Sequence, residues 1–103
     1  MSSYPKINPA DATVLITGSS QGIGLATAKA FANLGARVAI GDLNEDLAKT
    51  EAQALDALGG YLDVTDAESF ANFAKATQDN FGPIDILVNN AGVMPNGAFL
   101  DLD

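Results

Sequence analysis

Three glycines, Gly18, Gly22 and Gly24, follow a strand-like run, Thr13-Val14-Leu15-Ile16, and open a helix-like one. At such a junction the backbone must bend sharply, pass close to a phosphate and let the new helix press on a sheet. Each demand is easiest without a Cβ. A helix beginning near Gly22 would aim its unpaired N–H groups and positive dipole end at a bound anion. Ser19, Ser20 and Gln21 add hydroxyl, amide and backbone donors, and Ile23 completes the segment. The competing reading is that these glycines serve only turn geometry and close packing. A helix-dipole contact is worth about 0.3–1 kcal/mol at an exposed site, so this segment could orient a pyrophosphate but would need further contacts to hold a whole cofactor.

Asp42 offers one. It stands eighteen residues after Gly24, just past a second strand-like run, where a carboxylate can accept hydrogen bonds from the hydroxyls of an adenosine ribose. A 2′-phosphate at that place would meet like charge. Two unit charges about 4 Å apart at an effective dielectric of about 20 repel by about 4 kcal/mol, roughly a thousandfold in affinity. The expected cofactor is therefore NAD rather than NADP. The alternative for Asp42 is a solvated loop acid or a cap on the helix that follows.

The elements that must position these residues alternate regularly. Strands are expected at Thr13–Thr17, Arg37–Gly41, Tyr61–Val64 and Ile84–Val88. The first helix is expected over Gly22–Leu34, burying Ile23, Ala26, Thr27, Ala30, Phe31 and Leu34 and ending at Gly35. Asn44 can cap the second, with Leu47, Ala48, Leu55 and Leu58 as its apolar stripe and Gly59-Gly60 as its stop. Thr65-Asp66-Ala67-Glu68 reads as a capping box for a third helix, whose Phe70, Phe73, Ala74, Thr77 and Phe81 face the core before Gly82-Pro83. Right-handed crossovers then give an α/β, Rossmann-like doubly wound parallel sheet, its first four strands in the order 3-2-1-4 and the sheet incomplete. Ligands bind such sheets at the carboxyl ends of the strands, where the glycine segment, Asp42, Asp63 and Asn90 all fall.

The Gly-x-x-x-Gly-x-Gly spacing of Thr17–Gly24, with Asp42, Asp63-Val64 and Asn89-Asn90-Ala91-Gly92 in that order, resembles the short-chain dehydrogenase/reductase family from about Ala12 to Pro95. The resemblance implies an oxidoreductase that interconverts an alcohol and a carbonyl by hydride transfer to or from NAD. It also implies that Asp63 bonds the adenine amino group, that the Val64 backbone lines the same pocket, and that Asn90, Ala91 and Gly92 let the backbone pass the cofactor ribose while Asn89 ties strands together. Gln21 places no cation where NADP-preferring relatives often carry one. The family's catalytic serine and Tyr-x-x-x-Lys find no counterpart: Tyr4 and Tyr61 are followed four residues later by Asn8 and Thr65. The chain alone is therefore expected to be inactive, with no catalytic residue assigned, and its parent is expected to be a homo-oligomer acting on a small alcohol or carbonyl. A non-catalytic nucleotide-binding module and a piece of an epimerase or dehydratase on the same fold remain as alternatives. The stretch Gly97–Asp103 reads as entering another helix, as an amino-terminal part of a longer chain would.

Composition narrows the remaining classes. In 103 residues there are 5 basic and 13 acidic side chains, net −8, spread along the chain, which disfavours nucleic acid and anionic membranes as partners. With neither cysteine nor histidine, disulfides and thiol chemistry are excluded and no metal site is expected. Residues 1–11 are expected as a mobile tail and 12–103 as a partial dinucleotide-binding domain. No apolar run suits a signal or membrane span, so a cytoplasmic location is expected.

Overall fold

The computed structural model describes residues 8–18 and 21–90. Its centre is β1 (Thr13–Thr17), buried along its whole length. It pairs in parallel with β2 (Arg37–Asp42) on one side and β4 (Ile86–Asn89) on the other, and β3 (Leu58–Tyr61) adds to β2. The order is β3-β2-β1-β4, as the crossover rule requires. A continuous apolar run suits β1 because helices cover both faces of the sheet.

Val14, Ile16, Val38 and Ile40 pack with Ala28 of α1 (Gly22–Asn33) and with Ala48 and Ala52 of α2 (Glu45–Leu55). On the other face Leu15 and Ala39 meet Phe70, Phe73 and Ala74 of α3 (Ala67–Phe81). Small side chains on α1 and α2 let those helices lie close to the strands, whereas α3 fills its face with phenylalanine. The expected core face of α3 is the observed one, with Phe70, Phe73, Ala74 and Thr77 all buried.

Three expectations are corrected. The first concerns α1, whose buried residues are Gly24 and Ala28, while Ile23 and Leu34 are 77% and 57% exposed. The stripe that meets the sheet is Gly24 and Ala28, with the expected Phe31 half-buried against the same cluster, so that a glycine and an alanine set the close approach. The second concerns Gly59-Gly60, which do not stop α2 but lie inside β3. The helix has already ended at Leu55, with Asp56 in the left-handed region at φ 55°. A Cβ on Gly59 would sit 2.5 Å from the Ala48 carbonyl oxygen and 2.7 Å from Ala52 Cβ, so glycine is there for the close approach of α2. The third is the cap of α3. The helix begins at Ala67, so Asp66, not Thr65, is its N-cap and accepts the N–H groups of Glu68 and Ser69, while the Thr65 hydroxyl donates to Asp63.

Strand bounds also shift: β3 covers Leu58–Tyr61 rather than 61–64, β2 runs one residue further, through Asp42, and β4 covers Ile86–Asn89 rather than 84–88. Residues Asn8 to Asp11, expected as the end of a tail, form a 3-10 turn at Pro9–Asp11 with the Asn8 side chain as its cap. Arg37 fastens this turn, donating through Nη2 to the Asp11 carbonyl at 2.7 Å and through Nε to the Thr13 hydroxyl at 3.2 Å. The rest of the tail, including Tyr4, lies outside the described residues, as does the segment Gly97–Asp103. Among the described residues no helix is long and apolar enough to cross a membrane.

Candidate functional site

The carboxyl ends of the strands form one rim. At its centre β1 ends in Thr17, and Gly18 turns with φ 61°, a left-handed conformation that favours glycine. The Gly18 N–H donates to the Gly41 carbonyl at 2.8 Å, so the turn is anchored to β2 one residue before Asp42. Gly22, with φ 64°, begins α1. A Cβ built on it meets nothing within 4 Å, so the space beside its backbone is open, whereas Gly24 is buried.

The N-terminus of α1 differs from those of its neighbours. Its N-cap, Gln21, makes no side-chain cap bond, and no acidic residue lies in the first turn. In α2, Asn44 accepts the Leu47 N–H at 3.1 Å and Glu45 and Asp46 follow; in α3, Asp66 caps and Glu68 follows. Those carboxylates occupy the positive ends of α2 and α3, while α1 presents its donors without one. Ile23, in the same turn, is exposed. Ser19 and Ser20 lie outside the described residues.

On one flank, the Thr17 hydroxyl donates to Asn89 Oδ1 at 2.9 Å and accepts the Asn90 N–H at 3.0 Å. The Asn90 side chain reaches further, donating from Nδ2 to the Gly18 carbonyl at 3.2 Å. Both asparagines thus tie β4 to β1 at the start of the glycine turn. Ala91 and Gly92 lie outside the described residues.

On the other flank, Asp42 is half-buried at the end of β2 and its Oδ1 accepts the Asn44 N–H at 3.2 Å, which turns the chain into α2. The Leu62 N–H donates to the Asp42 carbonyl at 2.9 Å, bringing Asp63 to the same rim. Asp63 Oδ1 accepts both the hydroxyl and the N–H of Thr65, at 2.6 and 3.0 Å. These bonds, the hydroxyl foremost, hold its carboxyl below the ordinary value against a small opposing effect of desolvation. Val64 is buried in the cluster under α3.

The structure therefore brings Gly18, Gly22, Asp42, Asp63 and Asn90 to one edge of the sheet: a row of backbone donors at the centre, with a carboxylate at each of two neighbouring strand ends. Thr17, Thr65 and Ser69 complete the arrangement; none was expected there from the sequence, in which Thr65 reads only as a helix cap. Thr17 was the most accessible to inference, since a hydroxyl at a strand end lies in register with Asn89.

Comparison with known proteins agrees with this geometry. Residues 12–103 match the family described as short chain dehydrogenase. The chain is 49% identical over 90 residues to the uncharacterized oxidoreductase YxbG of Bacillus subtilis, covering 82% of this chain and 33% of the relative. It is 47% identical over 90 residues to the 2,5-dichloro-2,5-cyclohexadiene-1,4-diol dehydrogenase LinX of Sphingobium indicum, covering 82% of this chain and 36% of that one. Similarity to the L-rhamnose 1-dehydrogenase (NAD(P)(+)) of Azotobacter vinelandii is 41% over 101 residues, covering 89% of this chain and 40% of the enzyme. The chain thus spans 33–40% of the length of these relatives. With the family matched from the start of β1 onward and the glycine turn, Asp42 and the Asn89-Asn90 tie on one rim, the chain belongs to the short-chain dehydrogenase family of oxidoreductases.

Proposed function

We propose that this chain is the NAD-binding part of an oxidoreductase that interconverts a small alcohol and a carbonyl. The observation that carries the reading is the uncapped, acid-free N-terminus of α1, placed directly after the Gly18 turn and one strand away from Asp42. Its donor set fits a pyrophosphate. Backbone N–H groups beside Gly22 would bind the phosphates, together with Ser19, Ser20, Gln21, Ile23 and Gly24. Asp42 would accept the adenosine ribose hydroxyls, and Asp63 and Val64 would border the adenine. Asn90, Ala91 and Gly92 would let the backbone pass the cofactor ribose. NAD, when bound, supplies the hydride acceptor; the residues of this chain hold and orient it.

The preference for NAD over NADP follows from Asp42, since its charge opposes a 2′-phosphate. The relatives include one whose name allows both cofactors, so the preference is a property to be measured on this protein. Hydride transfer requires a positioned acid–base group, whose loss typically costs about 10²–10⁴ in rate, and none is assigned in these 103 residues. The 103-residue chain by itself is therefore proposed to be inactive, its parent a cytoplasmic homo-oligomer, and residues 12–103 a partial dinucleotide-binding domain.

The test is a fluorescence titration of the full-length protein with NADH and NADPH, repeated on Asp42→Ala. We expect NADH to bind more tightly than NADPH, with the gap narrowing by about tenfold or more in the variant. Equal affinity for the two cofactors in the unaltered protein would refute the preference, and failure to bind either would refute the reading as a whole.

A further inference from the structure

One aromatic ring spans the ends of two strands. Gly41 of β2 and Gly60 of β3 are register partners. A Cβ on Gly41 would lie 2.6 Å from Leu62 Cδ2 and 3.0 Å from Phe73 Cε2, and a Cβ on Gly60 would meet Phe73 first, 3.0 Å from Cε1. The tip of the Phe73 ring therefore rests across both backbones, one residue before Asp42. Neither glycine has a positive φ, so the residue type answers a need for space and not for backbone freedom. One turn earlier on the same helix, Ser69 Oγ accepts the Asp63 N–H at 3.0 Å. Helix α3 thus braces from one face the exits of β2 and β3, which the Leu62 N–H bond to the Asp42 carbonyl ties along the sheet.

We infer that Phe73 is a positioning residue that sets the spacing of Asp42 and Asp63, and through it the preference of the site among adenine dinucleotides. The inference rests on the NAD-binding reading above and adds a determinant that does not touch the cofactor. Phe70 supplies the comparison. It lies on the same helix and in the same core cluster and is buried to 1% exposure, but it is not among the atoms nearest to either glycine. A ring that merely filled volume would be interchangeable with Phe70 in its effect on ligand choice; one that spaces two strand ends would not.

The experiment uses the full-length protein and compares Phe73→Leu with Phe70→Leu, with affinities for ADP-ribose, NAD and NADP as readouts alongside thermal stability. Both variants lose stability. A drift of the strand ends that weakens the contacts of Asp42 and Asp63 by about 1.4 kcal/mol in all should cost Phe73→Leu about tenfold in ADP-ribose affinity and lower its NAD:NADP ratio. Phe70→Leu should leave the ratio unchanged. Gly60→Ala should reproduce the defect by pushing the ring, and Gly60→Ala combined with Phe73→Leu should recover part of it, because leucine lacks the Cε atoms that the new methyl would meet. Where Phe73→Leu fails to fold, Phe73→Met carries the same expectation. An unchanged ratio in the Phe73 variants, an equal change in Phe70→Leu, or a double variant no better than Gly60→Ala would overturn the inference while leaving NAD binding intact. An unaltered protein that binds neither ADP-ribose nor NAD would overturn the reading beneath it, and the inference with it.

Discussion

Asp85 and Thr13 clasp each other at the amino end of the sheet: the Asp85 carboxylate accepts the Thr13 N–H at 2.8 Å, and the Asp85 N–H donates to the Thr13 carbonyl at 2.9 Å. The β1–β4 ladder proper begins one residue later, at Val14 and Ile86. A side chain thus supplies the acceptor for a fully buried strand residue where the ladder has not yet started. Removing it in Asp85→Ala leaves a buried donor unsatisfied, which costs about 1–3 kcal/mol. Urea unfolding of the full-length protein should show that loss, with Asp85→Asn, which keeps an oxygen acceptor, intermediate. An unshifted midpoint in the alanine variant would show that the clasp adds nothing.

At the opposite end of the same strand, the Thr17 hydroxyl serves Asn89, the last residue of β4, and Asn90 just past it. Thr17→Val preserves shape and removes this donor and acceptor together. We expect a loss of stability of about 1–3 kcal/mol. A double-mutant cycle with Asn89→Ala should give a coupling of about 0.5–3 kcal/mol, since the two residues share one hydrogen bond. Strict additivity would contradict a direct tie.

Gly59→Ala tests the packing of α2 on β3. The new methyl would collide with the Ala48 carbonyl oxygen, which is backbone and cannot swing aside. Overpacking of this kind costs about 1–3 kcal/mol, and calorimetry should report a lower Tm. A variant as stable as the parent would mean that α2 can withdraw freely.

Asp63 gives a prediction in pH. Its carboxyl is more acidic in the folded chain because Thr65 donates to it twice. A depressed folded value means that the stabilisation is fully present above the unfolded value, about pH 4, and is lost as the pH falls through the folded one. The group is at the surface, so direct titration by carboxyl-detected NMR is the better measurement. Thr65→Val should move the Asp63 pKa upward toward its ordinary value; a value unmoved by that change would place the cause elsewhere.

Much of this arrangement was readable before any coordinates. The order β3-β2-β1-β4, β1 itself and the phenylalanine face of α3 follow from periodicity and the crossover rule, and the linking role of Asn89 from the family resemblance. What could not be read depends on neighbours distant in sequence. Gly59-Gly60 signals a helix stop when read locally, and only the approach of Ala48, Ala52 and Phe73 reveals two strand residues. Either stripe of α1 satisfies a three- and four-residue spacing, and the choice of Gly24 and Ala28 reflects how closely that helix lies on the sheet. Thr65 and Asp66 are both plausible caps until Asp63 takes the threonine hydroxyl. Asp85 reads locally as a sheet-edge or surface acid with no role, because its partner lies 72 residues earlier. In the rim, the glycine turn and Asp42 were recognisable by spacing, whereas Phe73 and Ser69 could be connected with it only through contacts.

The composition of β3 bears on the order of folding. Leu58-Gly59-Gly60-Tyr61 has little strand propensity of its own, and its place is set from outside by α2 on one face and Phe73 on the other. Its backbone pays the full entropic cost of ordering two glycines, so it gains nothing by pairing with β2 before those helices have docked. In a chain emerging from the ribosome, β1 and β2 can meet while residues 67–81 are still being made, but β3 must wait for α3. The adenosine side of the rim, where Asp42 and Asp63 stand, is accordingly completed only once α3 has docked.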